Sequence, residues 1–122
     1  MRLAVRHSLH MDISFATRKL EREMTDEEAM KRAYGERGRA LQNRLAVLTV
    51  AEKLSDVPRG PPDWLEQLTG DRDEQFSMVL TRNWRLIFEV DHDPIPRRDD
   101  GGIDLDQVTA IRLIEVVDYH RK

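Results

Sequence analysis

A chain of 122 residues with 35% charged side chains and no cysteine has the length of one domain, and it can build neither a disulfide framework nor a thiolate metal site nor a thiol nucleophile. Its net charge of −3 lacks the overall basic footprint of most nucleic-acid-binding domains. The acidity is local, however: residues 91–106, DHDPIPRRDDGGIDLD, hold six aspartates and two arginines, a net −4, which leaves the remainder at +1.

The longest apolar run near the start is Leu3-Ala4-Val5, and no stretch approaches the ~20 apolar residues of a membrane helix. A soluble, cytoplasmic protein without membrane contact is expected, with residues 1–10 as an extension. Asp12-Ile-Ser-Phe15 reads as a first strand. Thr25-Asp-Glu-Glu28 has capping-box spacing and predicts a helix beginning at Thr25, carried by Ala29, Met30, Ala33 and Tyr34 and ended by Gly35. Leu41, Leu45, Leu48 and Ala51 recur at helical spacing and predict a second amphipathic helix to about Leu54. That stripe is too short for a coiled coil and reads as core. Pro58, Gly60, Pro61 and Pro62 then close the helical half.

Beyond them the period becomes two. Phe76, Met78 and Leu80 alternate with polar partners; Trp84, Leu86, Phe88 and Val90 form one face of a strand whose other face carries Arg85, Ile87 and Glu89, and Thr81-Arg82-Asn83 is a tight turn between the two. After the acidic segment, read as a peripheral surface loop, TAIRLIEVV is apolar on both faces, as in a central strand. The pattern predicts a single α+β domain, with two N-terminal helices packed on one face of a small antiparallel β-sheet. Asp91-His92-Asp93 has no second ligand cluster at a recognised spacing, so neither a metal nor a cofactor is expected.

Arg85 points to the strand face opposite Trp84, Leu86 and Phe88, hence away from the helices. If the last strand joins the same sheet, its polar ending Asp118-Tyr119-His120 is expected to converge with Arg85 and with Arg72. Such a grouping suits phosphodiester chemistry: imidazole moves protons near neutral pH, guanidinium grips phosphate oxygens in pairs, a phenol stacks or hydrogen-bonds, and a carboxylate fixes the imidazole tautomer. The same residues also fit a plain strand end with a solvated imidazole, and an Arg85 that pairs or stacks on the surface.

The ordered set LEQLTGDRDEQFSMVLTRNWRLIFEV and AIRLIEVVDYH, over residues 64–90 and 109–120, resembles the HigB branch of the RelE-type toxins. Their common pattern is a Leu-Lys-Gly-Asp turn, a strand with Ser, an Asn-Trp-Arg-Leu-x-Phe strand and a terminal Asp-Tyr-His. The resemblance implies a RelE-like fold and a metal-free, ribosome-dependent endoribonuclease. In this chemistry the ribose 2′-hydroxyl attacks the adjacent phosphate of messenger RNA, leaving a 2′,3′-cyclic phosphate and a 5′-hydroxyl. It implies His120 as acid/base group, Asp118 as its orienting carboxylate, Tyr119 as a positioning or base-stacking group, and Arg85, Arg72 and Arg82 as phosphate contacts. Many relatives carry His where this chain has Glu66, and Lys where it has Thr69, which makes Glu66 the other member of an acid/base pair with His120. Implied partners are a helix-turn-helix, HigA-like antitoxin, the ribosome and messenger RNA. The same fold also serves non-catalytic toxins that bind a protein target such as gyrase.

Overall fold

The computed structural model describes residues 10–118. Strand β1 (Asp12–Phe15) is followed by helices α1 (Arg18–Thr25), α2 (Glu27–Tyr34) and α3 (Arg37–Val50), then by strands β2 (Glu66–Gln67), β3 (Gln75–Val79), β4 (Trp84–Val90) and β5 (Ala110–Asp118). The strands form one sheet in the order β1-β5-β4-β3-β2. The α+β class and the helices-then-strands order are as the sequence implies. Two details differ: the described residues hold three helices rather than two, and the sheet is mixed, because β1 lies parallel to β5 while the other pairs are antiparallel.

The extra helix comes from a cap that the capping box obscured. The Thr17 hydroxyl accepts the Leu20 N–H at 3.0 Å, and Leu20 and Met24, one turn apart, are buried. Thr25 is the last residue of α1, not the start of a helix: its hydroxyl donates back to the Glu21 carbonyl at 2.7 Å, and the residue at the cap position of α2 is Asp26. α2 starts after Asp26, and Tyr34 at its end donates to Glu23 Oε1 at 2.9 Å, fastening α2 to α1. Gly35, at φ +55°, turns the chain into α3. Leu41 and Leu48 of α3, with Leu54 in the helical turn Leu54–Asp56, are fully buried as the stripe predicts.

Those side chains meet Phe76, Met78, Leu86, Phe88, Ile111 and Leu113 from the sheet, with the Phe76 and Phe88 rings stacked 5.7 Å apart. Arg44 of α3 is buried as well; its Nε donates to the Val79 carbonyl at 2.7 Å and lies 3.8 Å from the buried Asp63 carboxylate. One bulge matters for everything at the sheet's end. Ile87 pairs with Glu115 but Phe88 pairs with Leu113, so Ile114 is an inserted residue that reverses the side-chain parity of the rest of β5.

The acidic segment is not the detached appendage expected from its charge. Ile103 is 3% exposed and sits in the main core, Ile95 and Leu105 pack against it, and Arg97 bridges to Ile103. Outside, both guanidinium amino groups of Arg97 donate to Glu74, at 2.8 and 3.0 Å, tying the segment to the turn before β3. The apolar residues spaced among the aspartates anchor the segment, while the aspartates stay in water.

Candidate functional site

The face of the sheet turned away from the helices carries a continuous row of cross-strand partners. Glu66 is opposite Ser77, Ser77 opposite Ile87, and Ile87 opposite Glu115, so these four side chains share one face across β2, β3, β4 and β5. The neighbouring row on that face is Val79, Arg85 and Val117. Arg72 arrives from the helical turn Gly70–Arg72 and reaches over the same face: its Nη2 donates to Glu115 Oε2 at 2.8 Å and its Nη1 to Gln75 Oε1 at 3.0 Å. Glu66, Arg72 and Arg85, all singled out from the sequence, therefore meet on one surface.

The surface is less open than strand alternation suggested. Ser77 and Ile87 are 1% and 0% exposed, so the centre of this face is closed to water and the more exposed polar groups stand around it. Such a closed centre lowers the local dielectric beside the guanidiniums and strengthens their hold on an anion.

Arg85 Nη1 donates to the carbonyls of Arg82 at 2.7 Å and Trp84 at 3.3 Å. These bonds brace the β3–β4 turn and satisfy part of the fork without neutralising it; among the described residues no carboxylate lies within ion-pair range of Arg85. Arg82 stands exposed at the tip of the turn, at φ +48°. Arg72, by contrast, is already paired. Glu115 is the functional candidate that the sequence reading missed, and its signal was the one acid inside Ile-Arg-Leu-Ile-Glu-Val-Val.

Asp118 does not join this group. It is exposed and opposite Trp84, on the face of Trp84 and Leu86 rather than that of Arg85. The cause is the extra residue at Ile114: strict alternation back from Phe88 and Leu113 puts Val116, and so Asp118, on the Arg85 side, and one inserted residue moves both across. Tyr119 and His120 lie outside the described residues.

The acidic triplet has a structural use. His92 Nε2 accepts the Thr109 N–H at 3.0 Å, tying the start of the acidic segment to the start of β5, and no group of three or more potential ligands is assembled among the described residues. No helix among them is long and apolar enough to cross a membrane.

No curated protein matches the chain. Residues 13–97, well over half of it, match a family model described as the RelE-like toxin of the type II toxin–antitoxin system HigB. The matched stretch includes Glu66, Arg72, Arg82 and Arg85 and ends before β5.

Proposed function

This chain belongs to the RelE-like HigB toxins of type II toxin–antitoxin systems, and on that premise we propose that it is a ribosome-dependent endoribonuclease acting on messenger RNA. The observation that carries the reading is the assembly of Glu66, Arg72 and Arg85 on one sheet face, from three separate segments. Cleavage by the neighbouring 2′-hydroxyl needs a base for the hydroxyl proton, an acid for the departing 5′-oxygen, and cations for the charge that grows on the phosphoryl oxygens. Glu66 and His120 form the acid/base pair in this reading. Arg85, with no carboxylate partner among the described residues, is the principal cation, and Arg72 and Arg82 flank it. Tyr119 positions a base. Asp118, on the Trp84 face, is in this reading the carboxylate that orients His120 rather than a phosphate contact.

A type II toxin has a cognate antitoxin; here we take it to be a small helix-turn-helix protein. One observation favours a second reading: Arg72 is occupied by Glu115, as in a surface that binds a protein target without cleaving RNA. The chemistry of RNA ends separates the two. Messenger fragments with 2′,3′-cyclic phosphate and 5′-hydroxyl ends in cells expressing the protein, absent with Arg85→Ala, are expected of the nuclease. Growth arrest with intact messenger would establish the protein-binding alternative.

A further inference from the structure

We propose that a second groove, on the helix side of the β3–β4 turn, is a nucleotide subsite that seats an unpaired RNA residue flanking the cleaved bond. It is an open cleft of about 680 Å³ between the α2–α3 junction and the turn, lined by Tyr34, Gly35, Glu36, Arg37, Arg82 and Trp84. Nothing in the family match assigns it a role, and it lies on the opposite face of the sheet from Glu66, Arg72 and Arg85.

Three observations converge there. First, the Arg37 guanidinium sits over the Trp84 ring, with its central carbon 3.9 Å from the centroid, and Trp84 itself packs against the core. The stacked cation is thereby pinned, and its outer surface is a ready platform for a base. Second, Arg37 Nε is shut off from water without a hydrogen-bond partner, and neither Arg37 nor Arg82 has a carboxylate in ion-pair range among the described residues. Arg44, Arg72, Arg97, Arg98 and Arg112 are ion-paired; what sets Arg37 apart from the other unpaired arginines is the enclosed Nε and the indole beneath it. Third, the groove is continuous with the proposed cleavage face through the turn itself: Arg85 on that face donates to the carbonyl of Arg82, which lines the groove.

The parts suit a nucleotide rather than a bare anion. Arg37 stacks the base, Arg82 meets the phosphate at the turn, and the exposed Glu36 carboxylate accepts hydrogen bonds from ring N–H or amino groups. Glu36 also disfavours a purely electrostatic grip, since it offsets one of the two cations. A base with adjacent donors, above all guanine, fits this set better than uracil. The identity of the polymer rests on the ribonuclease reading; the groove's geometry does not.

Trp84 supplies the readout. The chain has two tryptophans, and Trp64, 49% exposed, is replaceable by Phe so that emission reports Trp84 alone. The ligand is a short 2′-O-methyl oligoribonucleotide, which cannot be cleaved, in guanine-containing and all-uridine versions. The expected result is a change in Trp84 emission with the guanine-containing strand. Binding weakens roughly tenfold in Arg37→Ala and severalfold in Arg82→Gly, and the salt slope falls by about 0.7 for each cation removed. Glu36→Gln should narrow the preference over uridine. Arg82 also flanks the cleavage face, so the groove-specific reading comes from Arg37→Lys, which keeps the charge, loses the planar stack and is milder than Arg37→Ala. Binding by both Arg37 variants equal to that of wild type, while the wild-type protein cleaves ribosome-bound messenger, overturns the subsite alone. A wild-type protein that neither cleaves nor binds RNA overturns the ribonuclease reading and the subsite with it.

Discussion

Replacing Glu115 by Gln isolates the contact that stands between Arg72 and RNA. The pair is short, at 2.8 Å, but its side chains are 26% and 42% exposed, so water and salt screen it and its contribution is on the order of 0.5–1 kcal/mol. Gln keeps an acceptor for the Arg72 Nη2 hydrogen and removes the charge. The two effects are similar in size and opposite in sense. The folded state loses at most about 1 kcal/mol, a shift of a few degrees in Tm. RNA, whose phosphate no longer competes with a carboxylate for Arg72, gains up to the same amount, about two- to fivefold in Kd at low salt. Fluorescence anisotropy with an uncleavable 2′-O-methyl strand gives the second quantity, and urea unfolding of the same samples gives the first. Binding that is unchanged or weaker in Glu115→Gln, with stability intact, rules out this competition: Arg72 is then a structural strap, and the phosphate lies elsewhere.

Arg85→Ala should leave the fold intact and reduce messenger cleavage on the order of a hundredfold, the effect of removing ~3 kcal/mol of transition-state charge stabilisation; single-turnover cleavage beside a thermal melt checks it. Ile103→Ala should destabilise the protein by about 2–5 kcal/mol in urea unfolding, because the side chain is 3% exposed, whereas a peripheral loop residue stays within about 0.5 kcal/mol. The hydrogen bond from Lys19, with help from Tyr34, holds the Glu23 carboxyl below its ordinary range. A depressed carboxylate contributes stability above its unfolded pKa, near ~4.3, and loses it as pH falls through the folded value. A melt series from pH 6 to pH 3 should therefore show a steeper acid loss in wild type than in Glu23→Gln.

The strands were legible because β3 and β4 obey a period of two wherever they meet the core, so Phe76, Met78, Leu86 and Phe88 announce the buried face. Alternation also correctly assigned Arg85 to the opposite face. It failed at Asp118, since a single inserted residue at Ile114 reverses parity and leaves no mark in a strand that is apolar on both sides. Helix α1 was hidden by a competing signal: Thr25 and Glu28 have the spacing of a cap, but Thr17 is the residue whose hydroxyl holds a helix start. The acidic segment misled through composition. Its six aspartates outweigh three apolar residues in any count, yet Ile103 in the core, with Ile95 and Leu105 packed against that core, is what fixes the segment. Arg72 and Glu115 are 43 positions apart, and only the sheet's register brings them together.

Cleavage of messenger in the ribosome, reconstituted from purified components, decides whether the protein is a ribosome-dependent nuclease. Ribosomes programmed with a defined messenger are mixed with wild-type protein, Arg85→Ala or His120→Gln, and the messenger is mapped by primer extension. Discrete breaks are expected on the ribosome-bound messenger with wild type, none on the same messenger free in solution, and a loss of at least a hundredfold in both variants while each keeps its fold. Full-length messenger with the wild-type protein, under conditions in which that protein still arrests growth, would contradict the nuclease assignment.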